Sequence, residues 1–374
     1  MRALGLMSGT SLDGIDVAMI ETDGESQVVR GPAMTFAYEA EMRQVLTAAI
    51  ADARGLQDRW ARPGCLKQAE RQMTEAHASA VDAFLGQRGI DRGAIDVIGF
   101  HGQTVLHRPG GQLTVQLGLG GVLADLTRVP VVYDLRGADV AAGGQGAPLV
   151  PVYHQALTAK LSQRPMAVVN IGGVANVTWI GRDGRLIAFD TGPGNALIDD
   201  WMMRRTNRAC DLDGASAARG RVLDDILHAY LNDPFFAEPP PKSLDRNAFT
   251  LEPFQGVSLE DGAATLAAFT AGAIAKAREH MPEEPALWIV AGGGRRNKTI
   301  MRLLAGTVQN AVIPAETAGL DGDSLEAEAW AYLAVRSMKR LAITFPGTTG
   351  VAAPMTGGTL VLPKTVAIKA SNDD

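Results

Sequence analysis

Two stretches of the chain decide its fold. Arg2–Ile20 reads RALGLMSGTSLDGIDVAMI, and Met166–Ile180 reads MAVVNIGGVANVTWI. In each, an apolar run gives way to a tight turn rich in glycine and then to an alternating run. This is the pattern of a β-hairpin whose turn uses glycine to bring backbone N–H groups to the surface.

The segments after the two hairpins are also alike. Leu66, Ala69, Met73, Ala76, Ala80 and Phe84 fall at helical spacing, and the helix leads to an apolar strand, Ile95–Phe100, and a polar turn, His101-Gly102-Gln103. In the second half Leu259, Ala263, Leu266, Phe269 and Ala273 share a helical face, and the strand Leu287–Ala291 and the turn Gly292-Gly293-Gly294 come next. The order hairpin, helix, strand, glycine turn thus occurs twice. It predicts an α/β protein of two similar halves facing each other across a cleft. The expected division is a first domain over 1–150, a second over 151–343 and an extended C-terminal segment, 344–374, packing back on both. Prolines between Pro148 and Pro165 mark the boundary, and Pro239-Pro240-Pro241 is a rigid surface segment in the second half.

Composition narrows the function. The 374 residues are 46% hydrophobic and 20% charged, which excludes disorder and suits two domains. With 35 basic against 41 acidic side chains the net charge is −6, which argues against a nucleic-acid or membrane-surface partner. Cys65 and Cys210 stand alone, outside any metal-ligand spacing, and are expected to be reduced, packed thiols. No apolar run reaches the roughly 18 residues of a membrane span, and the N-terminus turns to glycine and hydroxyl residues too soon for a signal peptide. A cytoplasmic protein is the expectation.

The first turn, Gly9-Thr10-Ser11-Leu12-Asp13-Gly14-Ile15-Asp16, offers amides, hydroxyls and carboxylates. Such a loop can wrap phosphate oxygens while a carboxylate, Asp13, positions Mg2+; an ordinary Asx turn is the alternative. Gly172 and Gly173, with Asn176, form a second amide-rich turn of the same kind, and the pair could hold a polyphosphate. Gly292, Gly293 and Gly294 form a loop that a flat base could approach closely. Asp190 ends a strand just before a glycine turn and a helix. It is either a general base or, like Asn195, a helix cap. Arg136, near the flexible stretch that holds Gln145, could bind an anionic group or sit in a surface salt bridge. Glu326 matches a capping box, Asp323-x-x-Glu326. The chain lacks the P-loop, G-x-G-x-x-G, HExxH and G-x-S-x-G signatures, so the enzyme classes they mark lose ground.

Taken in order, GLMSGTSLDGIDVA, GFHGQTVLHRP, DLRGADVAAGGQGAPLVP, VVNIGGVANVTWI, FDTGPGNALIDDW, PPPKS, VAGGGRRN and FPGTTGVAAPMTGG span nearly the whole chain. Together they closely resemble the anhydro-N-acetylmuramic acid kinases. The resemblance implies two ribonuclease-H-like domains of the actin-like ATPase fold with an interdomain ATP cleft. It implies ATP and Mg2+ as cofactors, and 1,6-anhydro-N-acetylmuramic acid and water as substrates. The product would be N-acetylmuramic acid 6-phosphate, made in cell-wall recycling by a homodimer. Gly9 to Asp16 then resembles the ATP phosphate loop, Asp190 the catalytic aspartate and Glu326 a substrate-site glutamate; Arg136 and Gln145 are further substrate candidates. Two departures stand out. After the triple proline the family has Lys-Ser-Thr-Gly-Arg-Glu where this chain has Lys242-Ser243-Leu244-Asp245-Arg246-Asn247, and Leu325-Glu326 replaces Lys-Glu. The rival readings are a kinase for another sugar on the same scaffold and a nucleotide-driven clamp of the Hsp70 or actin type.

Overall fold

The computed structural model describes residues 1–9 and 11–364. It holds two compact units, each built on its own sheet. The first comprises Met1–Gly146, Glu326–Thr344 and the chain from Ala353 onward, and the second comprises Ala147–Leu325 and Phe345–Ala352.

In the first unit β1 (Arg2–Ser8), β2 (Gly14–Thr22) and β3 (Val28–Ala37) form an antiparallel meander. β4 (Val97–Arg108) pairs parallel to β1, β5 (Leu113–Leu117) hairpins back on the far half of β4, and β6 (Val131–Tyr133) pairs parallel to β4. In the second unit β7 (Met166–Ile171), β8 (Val174–Ile180) and β9 (Leu186–Pro193) form the meander. β10 (Leu287–Ala291) adds parallel to β7, and β11 (Ala311–Pro314) adds parallel to β10. β12 (Thr359–Val361) closes the first sheet on β6. The strand order is β3-β2-β1-β4-β6 in the first sheet and β9-β8-β7-β10-β11 in the second, the same arrangement once β5, a hairpin extension of β4, is set aside. The duplication read from the sequence is therefore one of topology, and the α/β fold with ribonuclease-H-like sheet order is present twice.

Apolar alternation places the cores. Leu4, Leu6, Val17, Met73, Phe84 and Phe100 pack in the first unit, and Val169, Val177, Trp179, Phe189, Phe269 and Trp288 in the second. Both predicted helices form, as Leu66–Arg88 and Leu259–Lys276. Among the described residues no helix is long and apolar enough to cross a membrane.

Four expectations need correction. The turn expected at His101-Gly102-Gln103 does not form: β4 runs on to Arg108. Gly102, at φ 73°, takes up a register irregularity there as the strand's pairing passes from β1 to β5. The expected 151–343 domain differs too, since Glu326–Thr344 clusters with the first unit. Cys65 is partly buried and packs against the core beside Leu66 and Val115, as expected, but Cys210 is exposed and is no packed thiol. Finally, the expected C-terminal segment contains a short helix, Pro346–Thr349, and strand β12, while its residues 365–374 lie outside the described residues.

The helix Leu325–Met338 joins the first unit for a packing reason. Gly5 and Gly99 lie side by side in register on β1 and β4. A Cβ on Gly5 would fall 1.7 Å from the Ala327 carbonyl oxygen, and one on Gly99 2.0 Å from that of Trp330. The helix backbone rests directly on the sheet. Glu328 on the same helix is fully buried and receives Arg30 through Nε at 2.9 and 3.0 Å and through an amino group at 2.8 Å. Such a bidentate pair is costly to break by removing one partner. Gly99→Ala is expected to cost about 1–3 kcal/mol through overpacking. Urea unfolding followed by far-UV circular dichroism checks this against Gly86→Ala, at an open helical position.

Candidate active site

In the first unit, the turn between β1 and β2 is buttressed from β4. Ser8 Oγ donates to Gln103 Oε1 at 2.6 Å, and Gln103 Nε2 donates to the Gly9 carbonyl at 3.1 Å. Ser8 Oγ also lies 2.9 Å from the Tyr38 hydroxyl. Ser11 and Asp13 are exposed, and Ser11 Oγ donates to Asp13 Oδ1 at 2.8 Å, a local side-chain pair within the turn. Leu12 takes a left-handed backbone, φ 55°. Thr10 lies outside the described residues. The rest of the expected phosphate loop is more structural. Gly14 passes so close to β3 that a Cβ would meet the Phe36 carbonyl at 2.4 Å, Ile15 is core, and Asp16 accepts from Thr35 Oγ1 at 2.6 Å. The turn thus offers Gly9, Ser11 and Asp13, while Ile15 can contribute only its backbone.

Arg136, also in this unit, is not in a surface ion pair. Its guanidinium donates to the Gly146 carbonyl at 2.7 Å and reaches His101 Nε2 at 3.2 and 3.3 Å, and it lies 5.1 Å from the Trp330 ring centre. Burial lowers its pKa to about 10, against the attraction of Glu326 and Asp139. Arg136 and Glu326, far apart in sequence, are therefore electrostatic neighbours. His101 is a buried neutral imidazole, its pKa pushed well below the usual value by burial and then by Arg136. Gln145 lies in the same loop as Gly146, and its backbone hydrogen-bonds His107.

In the second unit, the equivalent turn and two more loops converge. The Asn195 N–H donates to the Gly172 carbonyl at 2.7 Å, and the Gly194 N–H donates to that of Gly173 at 2.9 Å. A Cβ on Gly292, at φ 73°, would meet Asn170 Oδ1 at 2.3 Å, and one on Gly294 would meet Ile171 Cγ2 at 2.2 Å and Asn195 Oδ1 at 3.0 Å. Only glycine permits these approaches. Asn195 does not cap the following helix through its side chain, which donates instead to the Ile171 carbonyl at 3.1 Å. The loop after β10 is braced by Arg295, which bonds Glu316, Asp323 and the Gly292 carbonyl. Asp323 receives Arg295 on one carboxylate oxygen and Arg296 on the other.

Asp190 sits on β9 opposite Asn176 of β8, which in turn faces Asn170 of β7. These three polar side chains cross the meander in one row. The Asp190 N–H donates to the Lys242 carbonyl at 3.1 Å, and Asp190 Oδ2 accepts the Leu244 N–H at 2.9 Å. Its pKa is raised to about 6, chiefly by burial, with the Leu244 N–H opposing. Both contacts use the main chain of 242–244, so the side-chain departures from the family motif leave them intact. Reading the sequence missed Asn170 and Leu244. A polar residue interrupting the apolar run of β7 signals the first; a contact made by a backbone amide leaves no trace in side-chain pattern.

The family model for anhydro-N-acetylmuramic acid kinase matches residues 1–363. The chain belongs to this family. It is 57% identical over 369 residues to an anhydro-N-acetylmuramic acid kinase of Azorhizobium caulinodans, covering 97% of this chain and 100% of that one. A second, of Methylobacterium nodulans, is 54% identical over 97% of this chain and all of the relative, and a third, of Rhizobium johnstonii, is 52% identical over 96% and 98%. Membership in the anhydro-N-acetylmuramic acid kinase family makes the chain an ATP-dependent phosphotransferase.

The burial of Asp190 carries a stability consequence. A carboxyl whose folded pKa is raised stabilises the fold at low pH, and that contribution is lost as pH rises from the unfolded value, 3.8, through the folded one, about 6. At pH 8 the charged form therefore costs stability. Asp190→Asn is expected to raise Tm at pH 8 by roughly 2–4 °C, the shift about 1 kcal/mol produces in a domain of this size, and to leave Tm at pH 4 nearly unchanged. Differential scanning calorimetry at the two pH values checks both.

Proposed function

We propose that the protein opens 1,6-anhydro-N-acetylmuramic acid with water and phosphorylates O6 at the expense of ATP, with Asp190 as the general base. The observation that carries this reading is the state of the Asp190 carboxylate. One oxygen is held by a backbone amide, the other has no protein donor among the described residues, and burial moves its pKa toward neutrality. A base so poised is half-ionised at about pH 6, ionised above it, and has one oxygen ready to take a proton.

The chemistry balances. Water attacks C1 and gives one proton to Asp190, and the C1–O6 bond breaks. O6 takes the γ-phosphoryl group as the bond to the ADP oxygen breaks. The products are N-acetylmuramic acid 6-phosphate and ADP, and the proton passes from Asp190 to solvent. The amides around Gly9, with Ser11, suit the phosphates, and the three converging glycine loops of the second unit, Gly172-Gly173, Gly194-Asn195 and Gly292–Gly294, suit a nucleotide brought close to backbone. The exposed Asp13 carboxylate, a hard oxygen donor, fits Mg2+ bound mainly through water and phosphate. When bound, Mg2+ would offset the charge of the transferring group. Arg136, kept cationic beside Glu326, is the partner for the lactyl carboxylate. Cell-wall recycling in the cytoplasm by a homodimer completes the reading.

Turnover in 18O-labelled water is expected to place label at C1 and phosphate at O6, read by mass spectrometry of the fragmented product. Asp190→Asn should lose about 10²–10⁴-fold in kcat while ATP affinity, read by calorimetry, stays within twofold. A variant with near-normal turnover removes Asp190 from the mechanism. Arg136→Ala is expected to raise the sugar KM at least tenfold, about 1.4 kcal/mol, with the ATP KM unchanged.

A further inference from the structure

Asp190 takes its hydrogen bond from a short strap, and the strap is held by a buried charge. Lys242 is only 9% exposed. Its Nζ donates to the carbonyls of Phe235 at 2.9 Å and Phe236 at 3.2 Å, and it lies 4.6 Å from the Phe235 ring centre and 5.7 Å from that of Phe189. His280 Nε2 stands 3.3 Å from Nζ and 2.8 Å from the Phe236 carbonyl, so that one nitrogen can serve only one of them at a time. Among the described residues no carboxylate lies within salt-bridge reach of Lys242. Burial lowers its pKa, with the more distant Glu238 and Glu279 opposing. Taking an ammonium out of water with no counter-ion is costly, and a turn needs no such charge merely to close.

The cost has a local reason. Between the turn Pro234–Ala237 and Lys242 run Pro239, Pro240 and Pro241, three consecutive residues with no backbone N–H. Backbone donors cannot tether this stretch. The lysine side chain does it instead, reaching back six and seven residues along the chain. Beyond the clamp, the main chain of 242–244 meets Asp190 twice, accepting its N–H at the Lys242 carbonyl and giving the Leu244 N–H to Oδ2.

We propose that Lys242 is a positioning residue for Asp190: its ammonium clamps the strap so that the Leu244 amide stays on Oδ2 and the other carboxylate oxygen faces the reaction. The proposal rests on Asp190 being the general base. The groups around this carboxylate are few. Asn176 is its neighbour across β8 and β9, the Leu244 amide is its one hydrogen-bond donor among the described residues, and Lys242 and His280 pack against the ring of the preceding residue, Phe189. Loosening the strap removes a hydrogen bond that favours the ionised form, so the carboxylate becomes harder to ionise.

The test is the pH dependence of kcat in the full-length enzyme with ATP and 1,6-anhydro-N-acetylmuramic acid, from pH 5 to 9. Lys242→Met is expected to lower kcat about tenfold at pH 8, to leave the ATP KM within twofold, and to move the acidic limb up by about one unit. Lys242→Arg, which keeps charge and donors, is expected to bring the limb back. A merely structural lysine would lower Tm and leave the limb where it is. An acidic limb in Lys242→Met that superimposes on the parent's overturns the proposal, and Lys242→Gln is judged by the same criterion should the methionine variant not fold. Asp190→Asn is measured alongside. If it retains turnover, the general-base reading fails and takes the clamp with it. If it is inactive while the Lys242 variants keep the parental limb, the clamp alone fails.

Discussion

Backbone must approach backbone with no side chain between, and the working parts of this molecule depend on that constraint. In the first unit it seats the helix Leu325–Met338 on Gly5 and Gly99, within a distance no Cβ would allow. In the second it lets Gly194 close on the Gly172 carbonyl and Gly292 on Asn170 and Ile171. Bare approach of this kind is rigid, because no rotamer can absorb a displacement. It also leaves amides and carbonyls at the surface, where a polyanionic ligand can use them.

The same economy explains how a carboxylate can be tuned without a charged neighbour. The pKa of Asp190 moves through burial, and its direction is trimmed by one backbone amide. A nearby arginine or lysine would have lowered the pKa and made the group a poor base. Lys242, whose own carbonyl accepts the Asp190 N–H, turns its ammonium instead onto the carbonyls of Phe235 and Phe236. Charge is used here to hold chain, and the chain in turn holds the Asp190 carboxylate. Arg136 follows a different logic: set against His101 and Trp330 and facing Glu326, it stays cationic although burial lowers its pKa.

Much of this was legible in the sequence. Glycine turns between apolar runs at Gly9 and Gly172 marked both hairpins, because a turn without a Cβ leaves a local signature. Helical spacing marked Leu66–Arg88 and Leu259–Lys276, since one face of each must be apolar to be buried. Asp190 was visible as a carboxylate following an apolar run and preceding glycines, although β9 does not end there but carries on to Pro193. These features are set by neighbours in the chain, and neighbours in the chain are what a sequence displays.

Tertiary structure decided the rest. It carried β4 through His101 to Arg108, because the strand finds a second partner in β5 that lies outside the local pattern. It moved Glu326–Thr344 into the first unit, because Gly5 and Gly99, the glycines that receive the helix, lie far earlier in the chain. It also gave Asp190 its Leu244 amide, 54 residues away. Every residue but proline carries the same N–H, so no letter in a sequence says which one a carboxylate will find; only the folded path of the chain does.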